Sequence, residues 1–295
     1  MELRDSLLRV GVFLAVFAVA TILTGLGSVP IPTDGPNQTA PLTVESHQPD
    51  SILAQPPEET GDVTADSTGT GQTVVIDQSH NNSVTPDQIS PFVTRLLSAG
   101  HEVVFYTDEM ADHQSLNRTL ARADAFVVVA PGEQYNTSEQ ARVARFADRG
   151  GRVLLVNEPT AQVGDRSTQP TPMTNLAGTF GLGFDAGYLY NLQTYDTNHR
   201  AVFAVPATEG PLTRGVDRLT VYTARPVVGG SAAVVTNGST RLSTTRRDGA
   251  YTVLAREGNA VALGDRSLLG PDYVHTSDNE VLVSNLIEFL VSGSR

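Results

Sequence analysis

The chain contains no cysteine and no lysine. Without cysteine there is no disulfide, no thiolate metal ligand, no cysteine nucleophile and no lipid anchor through sulfur. Without lysine, all 20 basic residues are arginine, set against 32 acidic residues for a net charge of −12. No basic stripe is present to neutralise a phosphate backbone, so nucleic acid is excluded as a partner. An acidic, lysine-free surface suits high salt, where screening removes the self-repulsion of such a surface. There is no G-x-S-x-G elbow, and Pro131-Gly132 has neither the glycines nor the lysine of a phosphate loop. No cofactor motif is found and no cofactor is expected.

The charges are also missing from residues 10–26, VGVFLAVFAVATILTGL, a run just long enough to span a bilayer. Arg4 and Arg9 precede it, and no basic residue follows until Arg95. The positive-inside rule then gives a cytoplasmic stub at 1–9, a transmembrane anchor at 10–29 and the bulk of the chain outside the cell membrane. A cleaved signal peptide is the alternative; the length of the run and the lack of a clear A-x-A site stand against it. Residues 30–71 are rich in Pro, Thr, Asp, Gly, Ser and Gln without hydrophobic periodicity, and read as a disordered linker.

The folded domain is expected over 72–293. Residues 73–82, TVVIDQSHNN, run from apolar β-formers straight into polar side chains, as a central parallel strand does at its open edge. Thr85-Pro86-Asp87-Gln88 is a helix start, and Ile89, Phe92, Val93, Leu96 and Leu97 form one apolar stripe after it. Further strands are read at 103–106, 125–130 and 152–156. A helix between the last two opens on the capping box Thr137-Ser138-Glu139-Gln140. Strands alternating with amphipathic helices imply βαβ units and a parallel sheet. A short helix is expected over 171–180 and a tyrosine-rich loop over 181–200. Residues 201–255 are β-rich, and Glu257-Gly258-Asn259 turns the chain into a last strand at 260–263. The final helix starts at the capping box Ser277-Asp278-Asn279-Glu280. The expected class is α/β: a flavodoxin-like three-layer sandwich with a mainly parallel sheet and a small β-rich insertion.

The strand ending D-x-S-H-N, the runs V-V-V-A-P-G, F-x-D-R-G-G-R-V-L-L-V and Y-L-Y-N-L, and the closing A-L-G-D-x-S and D-N-E together resemble haloarchaeal members of the family called domain of unknown function 4350. The resemblance covers the folded part. It implies a flavodoxin-like sandwich related to the class I glutamine amidotransferase fold, usually on a membrane anchor. It implies relatives among gliding-motility and intraflagellar-transport components, which are not known as enzymes. It also implies a membrane assembly linked to an AAA ATPase as a partner. It carries no catalytic residues. The amidotransferases place a cysteine on a tight turn after a strand; this chain has none, and glutaminase chemistry is not expected.

In open α/β sheets, polar side chains beyond the carboxyl ends of the strands line one crevice. Asp77, Ser79, His80, Asn81, Glu158, Asp265 and Ser267 all follow predicted strands and are expected to converge there. Tyr190 and Asn191 from the tyrosine-rich stretch, and Asn279 from the last helix start, join them as ligand-binding candidates. Three readings stay open. One is a polar ligand pocket. Another is a His/Asp/Glu site for a divalent cation such as zinc, calcium or manganese. The third is loop scaffolding, with Asp77 and Asp265 capping turns and His80 bonding a loop carbonyl. A catalytic alternative makes Asp77, His80 and Asp265 a hydrolase centre with Ser79 at hand, although no spacing rule supports it. The function carried forward is an anchored, extracytoplasmic module that binds a ligand or a protein without chemistry. The alternative is a metal- or His/Asp-dependent hydrolase.

Overall fold

The computed structural model describes residues 62–63, 71–157 and 171–293. The expected anchor, nearly all of the linker, and Glu158 lie outside these residues. Among the described residues no helix is long and apolar enough to cross a membrane.

Strand β1 (Thr73–Gln78) forms where Val74, Val75 and Ile76 follow one another, and all three are fully buried. β-Branched side chains pack well on both faces of a covered sheet. β2 (Glu102–Thr107) and β3 (Ala125–Val129) flank it, both parallel. β4 (Arg152–Val156) continues beside β3 in the same sense. The connecting helices are amphipathic, as their spacing predicts. α1 (Ser90–Ser98) buries Phe92 and Leu96. Two short helices, α2 (Asp108–His113) and α3 (Leu116–Leu120), join β2 to β3. α4 (Thr137–Asp148) buries Val143, Phe146 and Ala147. α5 (Thr174–Gly178) is shorter than its sequence pattern, and α6 (Asn279–Val291) is buried on nearly every side. Alternate strand residues feed two cores. Val74, Ile76, Val127 and Leu154 pack with α1 and α6; Val75, Phe126, Val128 and Leu155 pack with α3, α4 and α5.

The strand pairing corrects the expected fold. One sheet of nine strands runs in the order β2-β1-β3-β4-β13-β12-β10-β7-β8. Its members from the β-rich stretch are β7 (Ala201–Pro206), β8 (Leu219–Tyr222), β10 (Ser231–Thr236) and β12 (Thr252–Glu257). Four neighbour pairings are parallel and four antiparallel. The sheet is therefore mixed, not mainly parallel, and residues 201–255 supply four of its nine strands, not an insertion. The cause is β13 (Ala260–Leu263). Gly258, at φ +54°, reverses the chain in a two-residue turn, so β13 lies antiparallel to β12. Its other edge pairs parallel with β4. A strand entering by a hairpin on one side and meeting a crossover strand on the other joins the two kinds of ladder. Two small ribbons complete the fold: β5 (Gly183–Phe184) with β9 (Val227–Val228), and β6 (Leu189–Tyr190) with β11 (Arg241–Leu242).

Candidate functional site

Asp77 is the last but one residue of β1 and is fully buried. A buried carboxylate requires donors or a counter-charge, and the next turn of chain provides both. Ser79 folds back so that its backbone N–H and its hydroxyl donate to Asp77 Oδ1, at 3.2 and 2.9 Å. His80 Nδ1 lies 3.0 Å from Asp77 Oδ2. The remaining donor comes from the loop after β3. The Tyr135 hydroxyl donates to Asp77 Oδ2 at 2.6 Å, and its ring stacks on the imidazole with centroids 3.7 Å apart.

Two backbone features hold that loop over His80. Gly132 and Glu133 donate their N–H groups to the His80 carbonyl at 2.8 and 3.0 Å. A Cβ at Gly132 would stand 2.5 Å from the Asn81 carbonyl oxygen, so only glycine permits this crossing. Asn81 itself sits at φ +49°, a region asparagine tolerates better than most residues. α4 then starts one residue earlier than its sequence signature: Asn136, not Thr137, is the N-cap. Asn136 Oδ1 accepts from the N–H groups of Ser138 and Glu139, and Glu139 accepts from the Asn136 N–H at 2.8 Å. The same Glu139 carboxylate lies 3.5 Å from His80 Nε2, a distance at which attraction is electrostatic more than a strong hydrogen bond.

The imidazole is thus enclosed between two carboxylates. Burial alone pulls its pKa down; the hydrogen bond to Asp77 and the charges of Asp77 and Glu139 outweigh it, so the pKa is raised above 6.5. Tyr135 is pushed well above its ordinary value by burial and by the Asp77 charge, and remains a neutral donor. Among the described residues no cluster of three His, Asp or Glu side chains is arranged to hold a metal ion. The reason is visible here: Asp77 faces Nδ1 and Glu139 faces Nε2, on opposite sides of one ring.

Asp265 lies at the same edge of the sheet but elsewhere along it. β13 is three strands from β1, roughly 14 Å at the usual strand spacing. The carboxylates do not meet, although their loops do: Arg266 Nη1 donates to the Ser83 carbonyl. Asp265 is fully buried. Its Oδ1 accepts from the Ser267 N–H at 2.7 Å and the Ser267 hydroxyl at 2.5 Å, and its Oδ2 accepts from the Tyr222 N–H at 2.7 Å. Burial raises its pKa to about 6 in spite of those bonds and the nearby Arg266. Beside it opens a cavity of about 310 Å³ lined by Asp87, Gln88, Tyr222, Arg266, Ser267 and Tyr273. The Tyr222 and Tyr273 rings stack at 4.8 Å. Burial and the Tyr222 and Asp265 charges push the Tyr273 hydroxyl up to about 12.

Of the expected site, Asp77, Ser79 and His80 come together, with the Asn81 backbone beside them. Asp265 and Ser267 form a second centre. The single centre uniting Asp77, His80 and Asp265 is corrected by the strand order. Asn191 belongs to neither centre: its amide donates to Asn237 Oδ1 and Ser239 Oγ, and its carbonyl accepts from Gln193 and Thr194 N–H groups. Tyr190 lies in the β6–β11 ribbon, paired with Arg241. Asn279 is a brace: it donates to the Thr220 and Tyr273 carbonyls and accepts from the Thr220 N–H. The N-cap of α6 is Asp278, not Ser277. Ser277 takes φ +54°, and Asp278 accepts instead from the N–H groups of Asp217 and Arg218. Sequence reasoning missed Tyr135, Glu139, Tyr222, Arg266 and Tyr273. Tyr135 lies in the polar loop six residues past the end of β3. Tyr222 reaches the edge on an antiparallel strand, and only the pairing reveals it.

No protein-family model matches the chain, and no curated protein matches it. Among solved structures it is similar to the mmIFT52 N-terminal domain, with a TM-score of 0.61 and 14% identity over 75% of this chain and 99% of that one. It is also similar to a putative ThuA-like protein from Parabacteroides merdae, with a TM-score of 0.46 and 14% identity over 76% of this chain and 91% of that one. A third is the exo-β-1,4-mannosidase Op5Man5 from an Opitutaceae bacterium, with a TM-score of 0.40 and 14% identity over 76% of this chain and 36% of that one. The first likeness shows that the fold is shared with the mmIFT52 domain.

Proposed function

We propose that this chain is a membrane-anchored, extracytoplasmic binding module that takes a small polar ligand at the carboxyl edge of its sheet and performs no chemistry on it. The observation that carries the reading is the cavity of about 310 Å³ beside Asp265, with the stacked Tyr222 and Tyr273 as one wall and Arg266 and Ser267 at its rim. A concave site with flat apolar surface and a few converging polar groups is the usual form of a ligand pocket. The hydrolase alternative fares worse on geometry. Both ring nitrogens of His80 face carboxylates, and the Ser79 hydroxyl donates to Asp77, so neither a base nor a nucleophile is turned toward a substrate. Two sequence features support the placement outside a membrane in high salt: the uncharged run 10–26 behind Arg4 and Arg9, and the net charge of −12. Membership of the domain of unknown function 4350 family, and a protein partner in an AAA ATPase-linked membrane assembly, belong to the same proposal.

The test is thermal-shift screening of the full chain in high salt against sugars, nucleotides and short peptides. At least one class is expected to raise the Tm; a ligand at 100 times its Kd adds about 2.7 kcal/mol of stability. The rise is expected to vanish in Tyr273→Ala. No stabilisation by any class, or an equal rise in the variant, would overturn the reading.

A further inference from the structure

The opposite edge of the sheet, at the amino ends of the parallel strands, holds a second hollow of about 340 Å³. Arg152, Arg214, Arg256, Asn285, Glu288 and Phe289 line it. Arg152 opens β4 and Arg256 is last but one in β12, and each guanidinium carbon stands 5.1 Å from the centre of the same Phe289 ring. The acceptors of both are neutral: Arg152 donates to Asn259 Oδ1, and Arg256 Nε donates to the Gly258 carbonyl at 2.9 Å. Among the described residues neither forms an ion pair. Arg152 Nε is buried without a hydrogen-bond partner. The hollow has one carboxylate, Glu288, and it pairs at 3.8 Å with the exposed Arg214. Arg214 is brought there by a built contact: the Asn285 amide on α6 donates to the carbonyls of Leu212 and Arg214 at 3.2 and 2.9 Å.

This is an unusual place for positive charge to gather. Three guanidinium groups line this hollow against one carboxylate, in a chain whose acidic residues outnumber its arginines 32 to 20. Here two of them stand over one aromatic ring and repel each other; burial and the Arg256 charge hold Arg152 below its ordinary pKa. Guanidinium groups held over one ring in a hollow, with neutral acceptors and no carboxylate of their own, leave positive charge for a ligand to meet. Planar guanidinium forks fit an oxyanion that offers two oxygens at once. We propose that Arg152, Arg256 and Arg214 form a binding site for a phosphate or carboxylate oxyanion, separate from the tyrosine cavity and independent of what that cavity holds.

Isothermal titration of the full chain with inorganic phosphate, and separately with succinate, tests this in a chloride buffer. Saturable binding of either anion is expected, and the tighter of the two identifies the source of the oxyanion. Arg152→Gln combined with Arg256→Gln is expected to weaken it at least about tenfold, since charge-assisted hydrogen bonds are lost. Without anion, the double variant is expected to keep a cooperative melt, since the loss of the Phe289 contacts is offset in part by relief of the like-charge repulsion. No binding of either anion, or binding unchanged in the double variant, would overturn the proposal. So would a Tm well below wild type with no anion response in either protein, which would assign the arginines to packing.

Discussion

Asp77, last but one in β1, and Asp265, two residues past the end of β13, lie at the same edge of the sheet, and both are fully buried. Their neighbours differ. Asp77 meets an imidazole whose pKa it raises, a tyrosine hydroxyl and the Ser79 turn. Asp265 meets only amide and hydroxyl dipoles with a more distant arginine, and its pKa climbs to about 6. The lesson of Asp265 is that amide and hydroxyl hydrogen bonds do not offset the desolvation of a carboxylate buried at this sheet edge. The Asp77 centre is closed and serves to lock two loops. The Asp265 centre is left electrostatically unsettled next to the cavity.

The largest test of that contrast is His80→Ala. It leaves the Asp77 carboxylate buried without its counter-charge and is expected to lower stability by about 3–5 kcal/mol in denaturant unfolding. A loss below about 1 kcal/mol would break the comparison. Because the folded pKa of His80 is raised, its contribution is full below pH 6.5 and fades as pH rises through the folded value. The variant is expected to lack that decline.

Asp265 gives the next effect. Its folded pKa is raised from 3.8 to about 6, so the native state holds the proton more tightly than the unfolded chain. Stability is therefore expected to fall as pH rises from about 4 to about 6, by about 3 kcal/mol for a shift of about two units. Asp265→Asn is expected to remove this slope; an identical slope in the variant would show that the carboxyl titrates normally.

The smallest effect is expected from Ser267→Ala, which deletes the 2.5 Å hydroxyl bond to Asp265. It is expected to cost about 1 kcal/mol at pH 8. The midpoint of the Asp265 titration, followed by NMR, is expected to move upward. A downward movement would mean that the hydroxyl does not favour the ionised form.

The parallel half of the fold was legible because its signals are local. Val74-Val75-Ile76 running into Asp77, and the stripe from Ile89 to Leu97, declare a strand and a helix without reference to anything distant. Strand partners are not local. Nothing in residues 201–255 states that β10 will lie between β12 and β7, so the mixed sheet could not be read, and Tyr222 could not be brought to the edge. The Asp77–Ser79–His80 contacts span three residues and were within reach, while Tyr135 closes the cluster across 58 positions. Asn279 illustrates the converse error. A polar residue without a local role was offered to a ligand, yet its partners are the backbones of Thr220 and Tyr273.

β13 comes last among the described strands in chain order yet lies at the middle of the sheet. Until Ala260–Leu263 dock, β4 and β12 each present an unpaired edge, and the two halves have no shared ladder. Joining them requires pairing across about a hundred residues, between Val153 and Ala260, an intrinsically slow step. A nascent chain of this kind is thus most vulnerable to mispairing in the interval before its final hairpin emerges.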